Sequence, residues 1–331
     1  MIDISEPAVP PRTRTPEGRP RRVGVELEFA AVSAREGARH VQHLFGGHIE
    51  ESDPHRYRIS GTALGDFVSE LDVQYAHRPA SPDEAGFDLG ASLEGFSEAI
   101  RRFVGDVSSL VMPCEIVCPP VEITALPEIA RLVPALTEAG AEGTRASPLY
   151  AFGAQFNPDV AEGGDEWIVA VFKAYLLMSD WLRAVMSIDL TRRIIAFADP
   201  FPRAYVEKVV APDYWPDMAA FTADYLAANP TRNRELDLLP LLAWFDEDRV
   251  RRQVKDKRVK RRPTFHYRLP DANLGQPGWG ILLEWNRWCL VERLAERRDT
   301  LDRMGAAYLE GRARVFKENW AIRTSEWLLL A

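Results

Sequence analysis

Residues 23–29, Val-Gly-Val-Glu-Leu-Glu-Phe, alternate apolar and polar positions with period two, the pattern of a strand that buries one face. Val25, Leu27 and Phe29 share one side, and Gly24, Glu26 and Glu28 share the other. The two carboxylates then stand roughly 7 Å apart along the strand, next to a glycine that leaves space above it. A strand packed on both faces would not carry them, because an unpaired buried carboxylate is heavily penalised. Carboxylate oxygens at this spacing suit a hard cation such as magnesium, which prefers oxygen and often bridges to phosphate. A solvated acidic strand face is the other reading of the same residues.

The design recurs along the chain. In 67–72, Phe67, Ser69 and Leu71 face one way, and Val68, Glu70 and Asp72 face the other. Glu115-Ile116-Val117-Cys118 reads as a short strand stopped by Pro119 and Pro120. In 151–158, Phe152, Ala154 and Phe156 oppose Gly153, Gln155 and Asn157, whose amides can either ligate a metal or donate to phosphate. In 264–270, Phe265, Tyr267 and Leu269 face the core while Thr264, His266 and Arg268 face away. An arginine in that place suits bidentate phosphate recognition and the neutralisation of charge during phosphoryl transfer. Five polar faces of this kind imply a concave sheet lining a magnesium–phosphate site, with helices on the opposite, apolar face. No GxxxxGK[ST] loop and no GxGxxG after a strand is present, which disfavours P-loop and Rossmann enzymes.

Helical spacing marks 83–111, 127–139 and 166–188, the last apolar over most of its circumference and therefore central. Further helices are expected over 214–228, 236–259, 278–299 and 301–329, with a short helix or loop at 36–48. His40, His43 and His48 in that segment lack a carboxylate at fixed offset and read as surface residues. Arg192, Arg193 and Arg203 lie in a loop region, and Arg203 is a candidate cofactor contact. The basic run 249–262 reads as a solvated helix end or as a rim attracting an anionic substrate. Residues 1–21, rich in proline and arginine, form an arm expected to be disordered or extended, ahead of a single domain over 22–331 whose part beyond about 278 is mostly helical. A net charge of −8 argues against a general nucleic-acid binder, and RNA binding through the arm and the basic run is the weaker reading. Cys114, Cys118 and Cys289 form neither a disulfide framework nor a zinc-spaced set. With no apolar run near the ~20 residues that cross a bilayer and no signal-peptide core, a cytoplasmic protein is expected.

The order Gly24-x-Glu26-x-Glu28, Asp72, Glu115-Ile116-Val117-Cys118-Pro119, Gly153-x-Gln155-x-Asn157 and His266-Tyr267-Arg268 resembles the amidoligases, over roughly 22–290. These belong to the carboxylate–amine ligase group that includes glutamate–cysteine ligase and glutamine synthetase. The resemblance implies an α+β fold with a glutamine-synthetase-like curved antiparallel sheet and helices packed on its apolar face, holding ATP and Mg2+. It implies that ATP phosphorylates a carboxylate and an amine displaces the phosphate, on an amino acid, a peptide or a cell-surface-related substrate. Carried over by position, Glu26, Glu28, Asp72 and Glu115 are metal ligands, Asn157 contacts nucleotide phosphate or metal, and Arg268 stabilises the transferring phosphoryl group; Glu28 and Arg268 are the catalytic candidates. Relatives often have histidine where this chain has Gln155 and glutamate where it has His266. Both can still ligate, Gln155 beside the nucleotide and His266 a metal, with one formal negative charge fewer. The alternative is a degenerate, nucleotide-binding member of the fold acting as a regulatory protein.

Overall fold

The alternating segments become strands of one open antiparallel sheet. The computed structural model describes residues 6–71, 113–147, 150, 152–187, 199–314 and 319–330; the expected helix 83–111 and Asp72, Arg192 and Arg193 lie outside them. The strands are β1 (Arg22–Phe29), β2 (His48–Asp53), β3 (Arg56–Thr62), β4 (Gly65–Leu71), β5 (Cys114–Val117), β6 (Val121–Glu122), β7 (Ala154–Pro158), β8 (Leu236–Asp237) and β9 (His266–Tyr267). Their order is β2-β3-β4-β5-β1-β7-β9-β8, with β6 beside the start of β1. The first acidic strand is thus central, and the two sides of the sheet keep the division its alternation implies. Val23, Val25, Leu27, Phe29, Phe67, Ile116, Phe156, Phe265 and Tyr267 are all buried on the apolar side.

Helices cover that side. Helix α1 (Ala34–Phe45) starts at a capping box between Ser33 and Glu36. Gly37 lets it lie against β4, since a Cβ there would come within 2.7 Å of Ser69 Oγ. After the short helices α2 (Leu126–Ala130) and α3 (Leu132–Glu138) comes α4 (Gly164–Met186), buried along most of its length as its composition requires. Trp167 meets Phe265 and Tyr175 meets Tyr267 edge-on, and Trp288 of a later helix packs on both Phe265 and Tyr267. The remaining helices are α5 (Arg203–Val210), α6 (Met218–Ala228), α7 (Leu239–Phe245), α8 (Glu247–Gln253), α9 (Ile281–Ala295), α10 (Arg298–Ala313) and α11 (Trp320–Leu330). The elements α5, α9, α10 and α11 pack around α4. No helix among the described residues is long and apolar enough to cross a membrane.

Three expectations change. The 127–139 helix is two pieces, because Pro134 cannot donate to the carbonyl one turn back. The 236–259 helix opens instead as β8 and then divides at Asp246, which accepts from the Arg249 amide at 2.9 Å and caps α8. Residues 6–21 are not a free arm. The Arg21 guanidinium is 1% exposed and makes paired hydrogen bonds to Glu292 at 2.8 and 2.7 Å. Arg12 pairs with Glu296 at 2.7 Å, and Gly163 makes room for it, since a Cβ there would fall 1.9 Å from its Nη1. Ala8 is held by Asn286 and Trp285. Arg21 and Arg12 find their carboxylates one helical turn apart, Glu292 on α9 and Glu296 at its C-cap.

Lys173, in the middle of α4, has no exposed side chain. Its ammonium donates to the Ala211 carbonyl at 2.9 Å, lies 3.7 Å from Asp302, and sits 4.1 Å from the centre of the Trp215 ring. Burial, reinforced by Arg298 and opposed by Asp302 and Asp213, lowers its pKa from 10.5 to about 8.

Two outcomes are expected. Arg21→Met strands the Glu292 carboxylate and lowers unfolding free energy by about 3–5 kcal/mol, whereas Arg21→Met with Glu292→Leu recovers most of it; urea titration of the variants decides this, and an unchanged single mutant would contradict the role of the pair. Between pH 8 and 10.5 the unfolded chain holds a proton that folded Lys173 has lost, so this group makes stability rise with pH there. Lys173→Met should lose that rise, by an amount approaching ~1 kcal/mol per pH unit, when denaturation of the two proteins is compared across the window.

Candidate functional site

Strand register decides which polar side chains meet, because residues directly opposite in an antiparallel pair share a face. Glu28 is opposite Glu115 on β5, and Glu115 is opposite Glu70 on β4. Glu26 is opposite Gln155 on β7, and Gly24 is opposite Asn157. Strands β7 and β9 register at Phe156 and Tyr267, which sets Gln155 level with Arg268 and Asn157 level with His266. His266 is in turn opposite Asp237 on β8. One row therefore runs Glu70, Glu115, Glu28; the next joins Glu26, Gln155 and Arg268; a third joins Gly24, Asn157, His266 and Asp237.

Local hydrogen bonds hold these groups. The Gln155 amide donates to Asn157 Oδ1 at 2.7 Å, and Asn157 Nδ2 donates to Glu26 Oε1 at 2.7 Å. The chain of amides fixes the orientation of Asn157 and leaves Glu26 half-buried with one oxygen engaged. The Gly153 amide donates to Glu28 Oε2 at 2.9 Å, so the glycine beside the polar pair of β7 supplies a backbone donor. At the sheet's outer side, Arg56 reaches Glu70 at 3.2 Å. Cys118 lies buried beside Glu26 and Glu115, and burial first, then those two charges, pushes its thiol pKa up; Cys114, Cys118 and Cys289 are all free and buried.

The β8–β9 side has the opposite charge. Arg268, half-buried, lies with Nη2 at 3.4 Å from Asp237 Oδ2. Asp237 is fully buried and also accepts from the Leu239 amide at 2.9 Å; burial raises its pKa against the pull of Arg268. Burial and the nearby Arg268, Arg262 and Arg232 hold His266 neutral, with a pKa well below the ordinary 6.5. Beside Arg268, Glu235 is buried and paired with Arg183.

Of the residues picked out in the sequence, Glu26, Glu28, Glu115, Gln155, Asn157, His266 and Arg268 share this face, and Asp72 lies outside the described residues. Arg203 does not join them. It is the exposed first residue of α5, paired with Glu207 at 2.6 Å, because the loop expected there begins a helix at that residue. His43 and His48 are exposed and His40 half-buried. Sequence patterning missed Glu235, Asp237 and Arg232: a two-residue strand shows no alternation, and Asp237 fell inside an expected helix. Among the described residues, no three His, Cys, Asp or Glu side chains gather closely enough to hold a metal ion by themselves.

No curated protein and no solved structure matches the chain. The family model described as "Putative amidoligase enzyme" matches residues 19–290. That span takes in each strand-borne acid, amide and arginine of the polar face, from Glu26 to Arg268, and covers well over half of the sequence: the chain belongs to the amidoligase family.

Proposed function

We propose that this amidoligase is an ATP- and magnesium-dependent enzyme that joins a carboxylate to an amine through an acyl phosphate. The observation that carries the reading is the strand register, which puts Glu28 against Glu115 and Glu26 in one row with Gln155 and Arg268 on a single face. The glutamine-synthetase-like form of the sheet belongs to the same proposal.

The donor set fits the cation. Glu28 and Glu115 stand directly opposite on paired strands, so one cation could reach oxygens of both. Magnesium is commonly held by one or two carboxylates, with water and phosphate oxygens in its other positions, so Glu28 with Glu115, or with Glu26, suffices beside a triphosphate. When bound, it would screen the phosphate oxygens and polarise the phosphorus toward attack. Glu26, Glu28, Glu115, Asp72 and His266 are the residues proposed to hold magnesium, as more than one ion, since His266 stands two strands from β1 and would take part through the lone pair of one ring nitrogen.

The chain's own part is placement and charge. Asn157, turned by Gln155, offers its amide toward the phosphates as well as to Glu26. Arg268, braced by Asp237, neutralises charge building on the phosphoryl oxygens as they pass to the donor carboxylate. The amine then attacks the acyl carbon, the C–O bond to phosphate breaks, and the amine proton leaves to solvent or to a carboxylate of the face. Because Gln155 spends its amide on Asn157 and Asn157 donates to Glu26, a member of the fold that binds nucleotide without turnover is the second reading.

Purified protein supplied with Mg·ATP, pooled amino acids or peptides and amine acceptors should release ADP and phosphate. Glu28→Gln should cut turnover by about a hundredfold or more without altering thermal unfolding. Arg268→Lys should lose most activity too, since an ammonium cannot reproduce the guanidinium fork. Nucleotide binding without turnover would favour the second reading; neither binding nor turnover would overturn both.

A further inference from the structure

The basic run 249–262 takes no part in the proposed chemistry, and it ends beside an apolar groove. Helix α8 stops at Gln253, and residues 254–262 continue as an irregular loop. The loop is held from within. Val254 and Val259 are buried, Arg251 donates to the carbonyls of Asp256 and Val259, and the Arg262 amide donates to the Pro240 carbonyl. Lys255, Lys257, Lys260, Arg261 and Arg262 are exposed on this anchored backbone. Cations fixed at their roots cost a partner less ordering than cations on a loose chain.

The charge of the loop is not balanced locally. From Trp244 to Arg262 nine side chains are basic and four acidic. Arg249, Arg251 and Arg258 pair with Asp246, Glu247 and Asp256. Among the described residues, Arg252, Lys255, Lys257, Lys260 and Arg262 have no carboxylate partner. Next to them, Trp244 and Phe245 at the end of α7 are 48% and 45% exposed, although Leu239, Leu241 and Leu242 of the same helix are buried. With Val160, Pro16 and Pro263 the two rings wall a groove of about 300 Å3 that Arg262 borders. The arm forms its far side, where Glu17 answers Arg19 at 3.2 Å and Asp159 approaches Arg22 at 4.0 Å. The unmatched charge therefore lies on the side of the 252–262 loop.

We infer that Trp244, Phe245 and the cations of 252–262 form a docking surface for a short acidic segment of another protein, with one large apolar side chain entering the groove and carboxylates meeting the lysines. The inference is independent of the ligase reading, because it uses none of the acids and amides of the polar face. A concave groove beside unpaired cations matches an apolar anchor flanked by acids, and aromatic anchors in such grooves supply most of the affinity at interfaces. A nucleic-acid strand calls for rings spaced to stack successive bases, whereas Trp244 and Phe245 are consecutive and share one groove. With five net positive charges in this stretch, the remainder of the chain carries −13, a field that opposes a long polyanion more than a short acidic segment.

The test immobilises the full-length protein and selects on it from a display library of random short peptides at physiological salt. The selected peptide is then synthesised with a fluorophore and titrated by anisotropy. Selected sequences should carry Asp or Glu on both sides of one Phe, Trp or Leu. Alanine in place of that side chain, and Trp244→Ala in the protein, should each weaken binding by about tenfold or more. Lys257→Glu with Lys260→Glu should do the same, and Lys257→Gln with Lys260→Gln should fall between that variant and wild type. Thermal melting verifies that each variant is folded, and saturating Mg·ADP should leave the peptide affinity within about twofold, as independent sites do. A selection without acidic enrichment, or binding that survives both Trp244→Ala and the charge reversal, would overturn the inference. So would displacement of the peptide by Mg·ADP, which would assign the groove to the nucleotide. Labelled oligouridylate or phosphatidylglycerol vesicles held more tightly than the peptide by the same residues would make the surface one for RNA or for membrane instead.

Discussion

The pairing of β1 with its two neighbours is the constraint on which the rest depends. A one-residue slip in an antiparallel sheet turns every side chain to the other face. Here the register is pinned by Val23, Val25, Leu27 and Phe29, none of which has any exposed surface. Hydrophobic burial on one side therefore forces Glu26 and Glu28 onto the other, opposite Gln155 and Glu115. The folding energy comes from the apolar side, and the polar side inherits a placement of like charges that packing alone would not select.

The face so produced is electrically divided. Carboxylates lie on β1, β4 and β5, guanidinium groups gather around β9 and β8, and the amides of Gln155 and Asn157 on β7 stand between them. A reaction that brings a metal-bound triphosphate to a carboxylate needs this polarity: acids to hold a cation, donors to neutralise phosphoryl oxygens, and a neutral strip between them that keeps the two from cancelling. His266 belongs to the basic side by its charged neighbours, and its lowered pKa keeps a ring lone pair available there.

Much of this was legible in the sequence wherever a strand was long enough to alternate. The 23–29 run, the Glu115 strand and the Gln155–Asn157 strand reveal their faces because five or more residues, or a proline stop, frame the period. The same reasoning had nothing to work on at Leu236-Asp237, where two residues form a strand by virtue of Tyr267 and His266 across from them. It also misread 6–21, since composition reports that arginines are present but not that Glu292 and Glu296 await them nearly three hundred positions later. Local chemistry placed the acids; long-range pairing placed Asp237, Arg232 and the arm.

The most direct test of the divided face is a crystal structure of the protein with manganese and a non-hydrolysable ATP analogue, with the cation located by its anomalous scattering. The account predicts manganese at ~2.0–2.2 Å from oxygens of Glu28 and of Glu115 or Glu26, with the terminal phosphate within hydrogen-bonding distance of Arg268. A nucleotide bound away from this face, or a cation held by none of these carboxylates, would contradict it.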